Sequence, residues 1–198
     1  FVYVTLVLIS HLHSAFPLSP KEFLGYELGD RFTYHHKVVE YFKQVASSSN
    51  SIHLIKYGET YEGRPLIVAI VTHPNNKLSV EEIRKSHLIS SGLEQGETPE
   101  NDFALVWLSY SVHGNESSST EAAMETLYSF ANTSNENTME WLKRTVLIID
   151  PCMNPDGRDR YVQFYTMTGT NPPSADANTR EHDEPWPSGR TNHYHFDL

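Results

Sequence analysis

A single cysteine, Cys152, rules out an internal disulfide and any zinc site built from several thiolates. Basic residues are scarce, 15 Lys and Arg against 25 Asp and Glu, and the formal charge is −10. With no Lys/Arg cluster to offset that balance, nucleic acid and anionic membrane are excluded as expected partners. No apolar run reaches the roughly 20 residues of a membrane helix, so stable membrane insertion is not expected. Internal repeats and low-complexity tracts are also missing. A hydrophobic fraction of 38% is too high for a disordered chain, and 198 residues can bury one core. What the sequence has in excess is histidine, 11 residues, and each is a ligand, a switch or an ordinary surface residue.

Residues 1–9 (FVYVTLVLI) have the length of a signal-peptide apolar core and are followed by a short polar stretch and Ala15. Residues 1–16 therefore read as the remnant of an export signal, which makes a secreted or periplasmic protein the expectation. The alternative is an amphipathic or buried N-terminal strand. Residues 32–46 place Val38, Val39, Tyr41, Phe42 and Val45 at helical spacing, with His35 and His36 toward solvent. Residues 52–57 alternate like a half-buried strand, residues 58–64 have turn chemistry, and residues 65–72 form a nearly continuous apolar run. Together they predict a hairpin feeding a central strand.

The second half repeats this logic. Residues 103–110 (FALVWLSY) read as a buried-type strand, and residues 117–131 as a helix burying Ala123, Met124, Leu127, Phe130 and Ala131. Ser118, three residues before Glu121, suggests a capping box at its start. A short helical pattern at 139–143 leads to a further buried strand at 146–149. This alternation predicts an α/β fold with a mixed, largely parallel sheet flanked by helices. Residues 158–192 are polar and without period, and a loop of that length inside a domain usually lines a site. Asn132-Thr133-Ser134 fits a glycosylation sequon.

Chemistry concentrates where the strand at 103–110 meets the following helix, in Ser111-Val112-His113-Gly114-Asn115-Glu116. A His and a Glu three apart at a strand's carboxyl end can turn toward one metal ion. Imidazole and carboxylate are suitable zinc ligands, and a catalytic zinc takes three protein ligands plus water. His113 is the only histidine in the chain with a Glu at the third position after it.

His113-Gly-Asn-Glu116, then Asn154-Pro155-Asp156-Gly157, then Gly189-Arg190 and Phe196-Asp197-Leu198 resemble the zinc metallocarboxypeptidases of the carboxypeptidase A/B type. Tyr61-Glu62-Gly63-Arg64-Pro65 matches a further segment common in that family, and the resemblance runs from about residue 23 onward. It implies that His113 and Glu116 are the first two ligands of one zinc ion per site. Asp197 would hold the free ring N–H of His113 and fix its tautomer. Arg190 would polarise the scissile carbonyl and stabilise the oxyanion. Peptide or protein C-termini would be the substrates. Asn154–Gly157 is implied to be a scaffold turn; Arg158 and Arg160 read as a solvated charge pair with Asp159, the alternative being that they face the cleft, while His193 and His195 read as non-ligands and Cys152 as a small hydrophobe.

In that family the third zinc ligand and the glutamate base lie farther along than Leu198. Residues 17–198 are thus expected to be the N-terminal part of a catalytic domain, incomplete at its C-terminus, and inactive as a peptidase on their own. Two other readings share His-x-x-Glu: a zinc amidohydrolase or deacylase on a related scaffold, and a catalytically silent binding domain that keeps the fold.

Overall fold

Val38, Val39, Tyr41, Phe42 and Val45 form one face of a helix and are all buried, so the 3.6-residue periodicity sets where the chain packs. The structure, a computed structural model, describes residues 17–97 and 103–198. The expected export signal at 1–16 lies outside them. In chain order the elements are α1 (Pro20–Leu24), α2 (His35–Ser47), β1 (Ile52–Glu59), β2 (Pro65–Val71), α3 (Val80–Ser90), β3 (Ala104–Ser109), α4 (Ser118–Ala131), α5 (Glu136–Leu142), β4 (Thr145–Asp150) and α6 (Pro155–Thr168). A 3₁₀ turn, Arg180–His182, is the last.

The four strands form one sheet in the order β1-β2-β4-β3. β1 and β2 make the expected hairpin, with a bulge between Lys56 and Gly58. β2 lies antiparallel to β4, Ala69 opposite Ile149, while β3 runs parallel to β4 from Ala104 opposite Thr145 to Ser109 opposite Asp150. The sheet is mixed and flanked by helices, as the pattern predicts, and its parallel part is the β3–β4 pair. β2 and β4 are the inner strands. Ile67, Ala69, Val71, Leu147 and Ile149 pack with the α2 stripe and with Ala123, Met124, Leu127 and Ala131 of α4 and Leu142 of α5. Each large aliphatic buried there contributes about 1.5–3 kcal/mol.

Several expectations are corrected. β3 is not a buried strand: Leu105, Val106 and Trp107 are exposed, because β3 is an edge strand bonded only to β4 among the described residues. Residues 155–168, read as turn and loop, are a helix whose N-cap is Asn154, with Pro155 in its first turn. Its polar residues hid its period, because Asp156 and Arg158 face inward rather than to water. No capping box forms at α4: its N-cap is Ser117, and Glu121 turns into the protein. Residues 20–24 form a short helix that opens with a Ser19–Glu22 capping box. His36 is exposed, but His35 is buried at the start of α2.

Candidate active site

Two parallel strands that end level deliver their following loops side by side. Past Ser109 and Asp150, the Tyr110 N–H donates to the Asp150 carbonyl at 3.0 Å and the Met153 N–H returns to the Tyr110 carbonyl at 3.0 Å. The Asn154 N–H then donates to the Ser111 carbonyl at 3.1 Å. Ser111 adopts the left-handed region (φ 53°), a conformation that costs a non-glycine residue energy and turns the chain sharply into His113–Glu116.

Three glycines let this loop meet two others. A Cβ on Gly114 would lie 2.0 Å from the Arg158 nitrogen, one on Gly157 2.1 Å from the Gly189 carbonyl oxygen, and one on Gly189 3.0 Å from the Asn115 nitrogen. Backbone therefore packs directly on backbone where the β3–α4 loop, the start of α6 and the Gly189 segment cross. The Gly114 N–H donates to the Gly189 carbonyl at 2.9 Å, and Asn154 Nδ2 donates to the same oxygen at 3.2 Å.

That crossing gathers all four residues singled out in the sequence. His113 Nδ1 and Glu116 Oε1 are 2.9 Å apart, and His113 Nε2 lies 3.2 Å from Asp197 Oδ1, beside the Leu198 main-chain oxygen. Arg190 Nη1 donates to Glu116 Oε1 at 3.2 Å, Arg190 Nη2 lies 3.2 Å from His113 Nε2, and Arg190 Nε reaches Asp197 Oδ2 at 3.3 Å. The hydrogen bond from His113, and then the Arg190 guanidinium, hold the Glu116 carboxyl below the usual carboxylate range. The same bond to Glu116 raises the His113 imidazole above its ordinary value. Glu116 and Asp197 are more than half exposed, so solvent screens these ion pairs and they add little to stability. Their consequence is geometric.

The neighbouring charges are structural. Arg158, expected in solvent, is fully buried: it donates to Glu121 Oε1, to the Thr33 carbonyl at 3.2 Å and to the Ser117 carbonyl. It thereby fixes the first residue after Glu116. Asp159 pairs with Arg64 Nε at 2.7 Å, and Arg160 donates to the Thr191 carbonyl at 2.6 Å. Glu62, Asp156 and His193 carry metal-type donor atoms within 4.8 Å of one another. The Arg64 guanidinium already supplies a cation there, donating to Glu62 and, at 2.7 Å, to Asp156 Oδ1. This network joins the β1–β2 turn to α6 and to the segment around His193, a convergence of long-range partners with no spacing signature in the sequence. Cys152 is buried with its thiol pushed up to about 12 by burial, which suits a small hydrophobe.

A family model described as zinc carboxypeptidase matches residues 38–198. The chain belongs to the zinc carboxypeptidase family. Among solved structures, thrombin-activatable fibrinolysis inhibitor is 16% identical, with 67% of this chain and 28% of that one covered at a TM-score of 0.49. The bovine form of that inhibitor, in complex with tick carboxypeptidase inhibitor, is 18% identical over 69% of this chain and 34% of that one, at 0.46. Carboxypeptidase A from Helicoverpa armigera is 15% identical over 65% of this chain and 26% of that one, also at 0.46. The chain thus spans about a third or less of the length of these structures. No curated protein matches it.

The donor set of this zinc carboxypeptidase chain suits the metal in kind. His113 Nδ1 and Glu116 Oε1 converge at 2.9 Å while Asp197 Oδ1 lies 3.2 Å from the other ring nitrogen, so an ion bound at Nδ1 would take the place of its hydrogen bond to Glu116. Among the described residues no third His, Cys, Asp or Glu donor joins this pair. Three protein ligands are usual at a catalytic zinc.

Proposed function

We propose that the protein is a zinc-dependent metallocarboxypeptidase that hydrolyses C-terminal peptide bonds. The observation that carries this reading is the convergence of His113, Glu116, Arg190 and Asp197 from segments more than 70 residues apart. His113 Nδ1 and Glu116 would hold the metal, which when bound supplies Lewis-acid polarisation and an activated water. Asp197 Oδ1, 3.2 Å from His113 Nε2, favours a proton on that nitrogen and so favours Nδ1 as the lone-pair donor when the metal is bound. Arg190, already within 3.2 Å of both ligand side chains, donates to the carbonyl oxygen of the bond to be cleaved and stabilises the negative charge that develops on it. Residues 1–9 support export of the protein.

The test uses the full-length protein and a peptide pair that differs only in a free or amidated C-terminus. Expected are one zinc per chain, release of the C-terminal residue from the free peptide alone, and loss of zinc in His113→Ala. Arg190→Ala is expected to keep its zinc and lose about 10²–10³ in kcat. Protein without stoichiometric zinc, or equal turnover of both peptides, would overturn the reading. With two such donors in reach among the described residues, those residues by themselves are expected to release nothing.

A further inference from the structure

Arg190 sits in the segment 170–198, whose regular structure is limited to the 3₁₀ turn and a single bridge between Thr191 and Asp197. No helix or strand therefore sets its position. The peptide before it does: the Gly189 carbonyl is held by Gly114 and Asn154, and the Gly189 N–H donates to Glu184 Oε1 at 2.6 Å. The other oxygen of Glu184 accepts from Asn115 Nδ2 at 2.8 Å. One carboxylate thus spans the residue that precedes Arg190 and the residue that precedes Glu116. Asn115 Oδ1 is buried without a partner, so the Asn115 side chain is held through its bond to Glu184.

We propose that Glu184 is a positioning residue that clamps the Arg190 segment onto the His113–Glu116 loop and so sets where the guanidinium points. The inference rests on the reading of Arg190 as the group that faces the scissile carbonyl. Both donors are neutral N–H groups, and a carboxylate can accept from both at once through short, charge-assisted bonds. A glutamine serves one of them, because its amide nitrogen would face an N–H, and an alanine serves neither. Displacing a reactive group by about 1 Å costs about 10² in rate, so loss of the clamp should appear in turnover rather than in binding.

The test compares Glu184→Gln and Glu184→Ala in the full-length zinc-loaded protein, each alone and combined with Arg190→Ala. Glu184→Ala is expected to lower kcat by about tenfold or more, with KM and zinc content unchanged and Glu184→Gln in between. In the Arg190→Ala background the same change should cost less than about threefold, since a residue that acts through another loses its effect with it. An equal fall in both backgrounds, or a change in KM alone, would overturn the proposal. Hydrogen exchange at the Gly189 amide reads the clamp without catalysis. It should quicken by about tenfold in Glu184→Ala and less in Glu184→Gln, and an unchanged rate would overturn the clamp. Because that amide responds whether or not the protein is a peptidase, failure of the clamp and failure of the functional reading give different patterns.

Discussion

His35 is buried away from solvent in a chain rich in histidine. Its backbone N–H donates to Asp159 Oδ1 at 2.8 Å, its ring Nε2 lies 2.8 Å from the Pro65 carbonyl, and Nδ1 is buried without a partner. Burial holds the imidazole below its ordinary value of 6.5, against the pull of the Pro65 carbonyl. The unfolded chain therefore binds more protons at this site than the fold does, and stability is lost as pH falls below about 6.5. The urea midpoint should drop between about pH 7.5 and 5.5, and drop less in His35→Gln, whose side chain carries no proton to gain. Equal drops in the two proteins would sink this assignment. Helical phase points His35 toward solvent; the docking of Pro65 and Asp159 over the first turn of α2 overrides it, and neither residue is near in sequence.

At the level of elements, the crossing of the β3–α4 loop, the start of α6 and the Gly189 segment depends on the missing Cβ of Gly157. The atom it would meet, the Gly189 carbonyl oxygen at 2.1 Å, is pinned by two hydrogen bonds and cannot yield cheaply. Gly157→Ala is expected to cost about 3 kcal/mol or more in denaturant unfolding. Gly58→Ala, whose Cβ would meet Leu66 at an ordinary 3.6 Å, should cost under about 1 kcal/mol. Similar costs would show that the crossing has slack. Helices α2 and α4 were legible because each buries a stripe at helical spacing, β2 and β4 because each is a short, nearly continuous apolar run, and β1 because its sequence alternates. α6 was not, since Asp156, Arg158 and Asp159 spend their charges on Arg64, Glu121 and the Thr33 carbonyl, partners that no local pattern reveals. Its readable signal was Asn154-Pro155, an N-cap followed by a first-turn proline, which also spells a turn. The metal pair and Arg190 were readable as motifs, whereas Glu184 was not, because its two bonds run to residues 5 and 69 positions away.

On the scale of the whole molecule, β3 presents Leu105, Val106 and Trp107 to solvent, and its outer edge has no strand partner among the described residues. An apolar strand with an open edge is a template for pairing. Prepared as these 198 residues, the protein is expected to self-associate at micromolar concentration, and Val106→Lys or Trp107→Lys to shift it toward monomer in sedimentation velocity. A monomeric parent would refute this. The strand order carries a consequence for synthesis as well. β2 gains β1 almost at once, because the two are joined by a tight turn, but its other neighbour, β4, begins more than 70 residues later. At ribosomal speeds that interval lasts about 4–15 s, during which the flank that will face Leu147 and Ile149 stands open on the nascent chain.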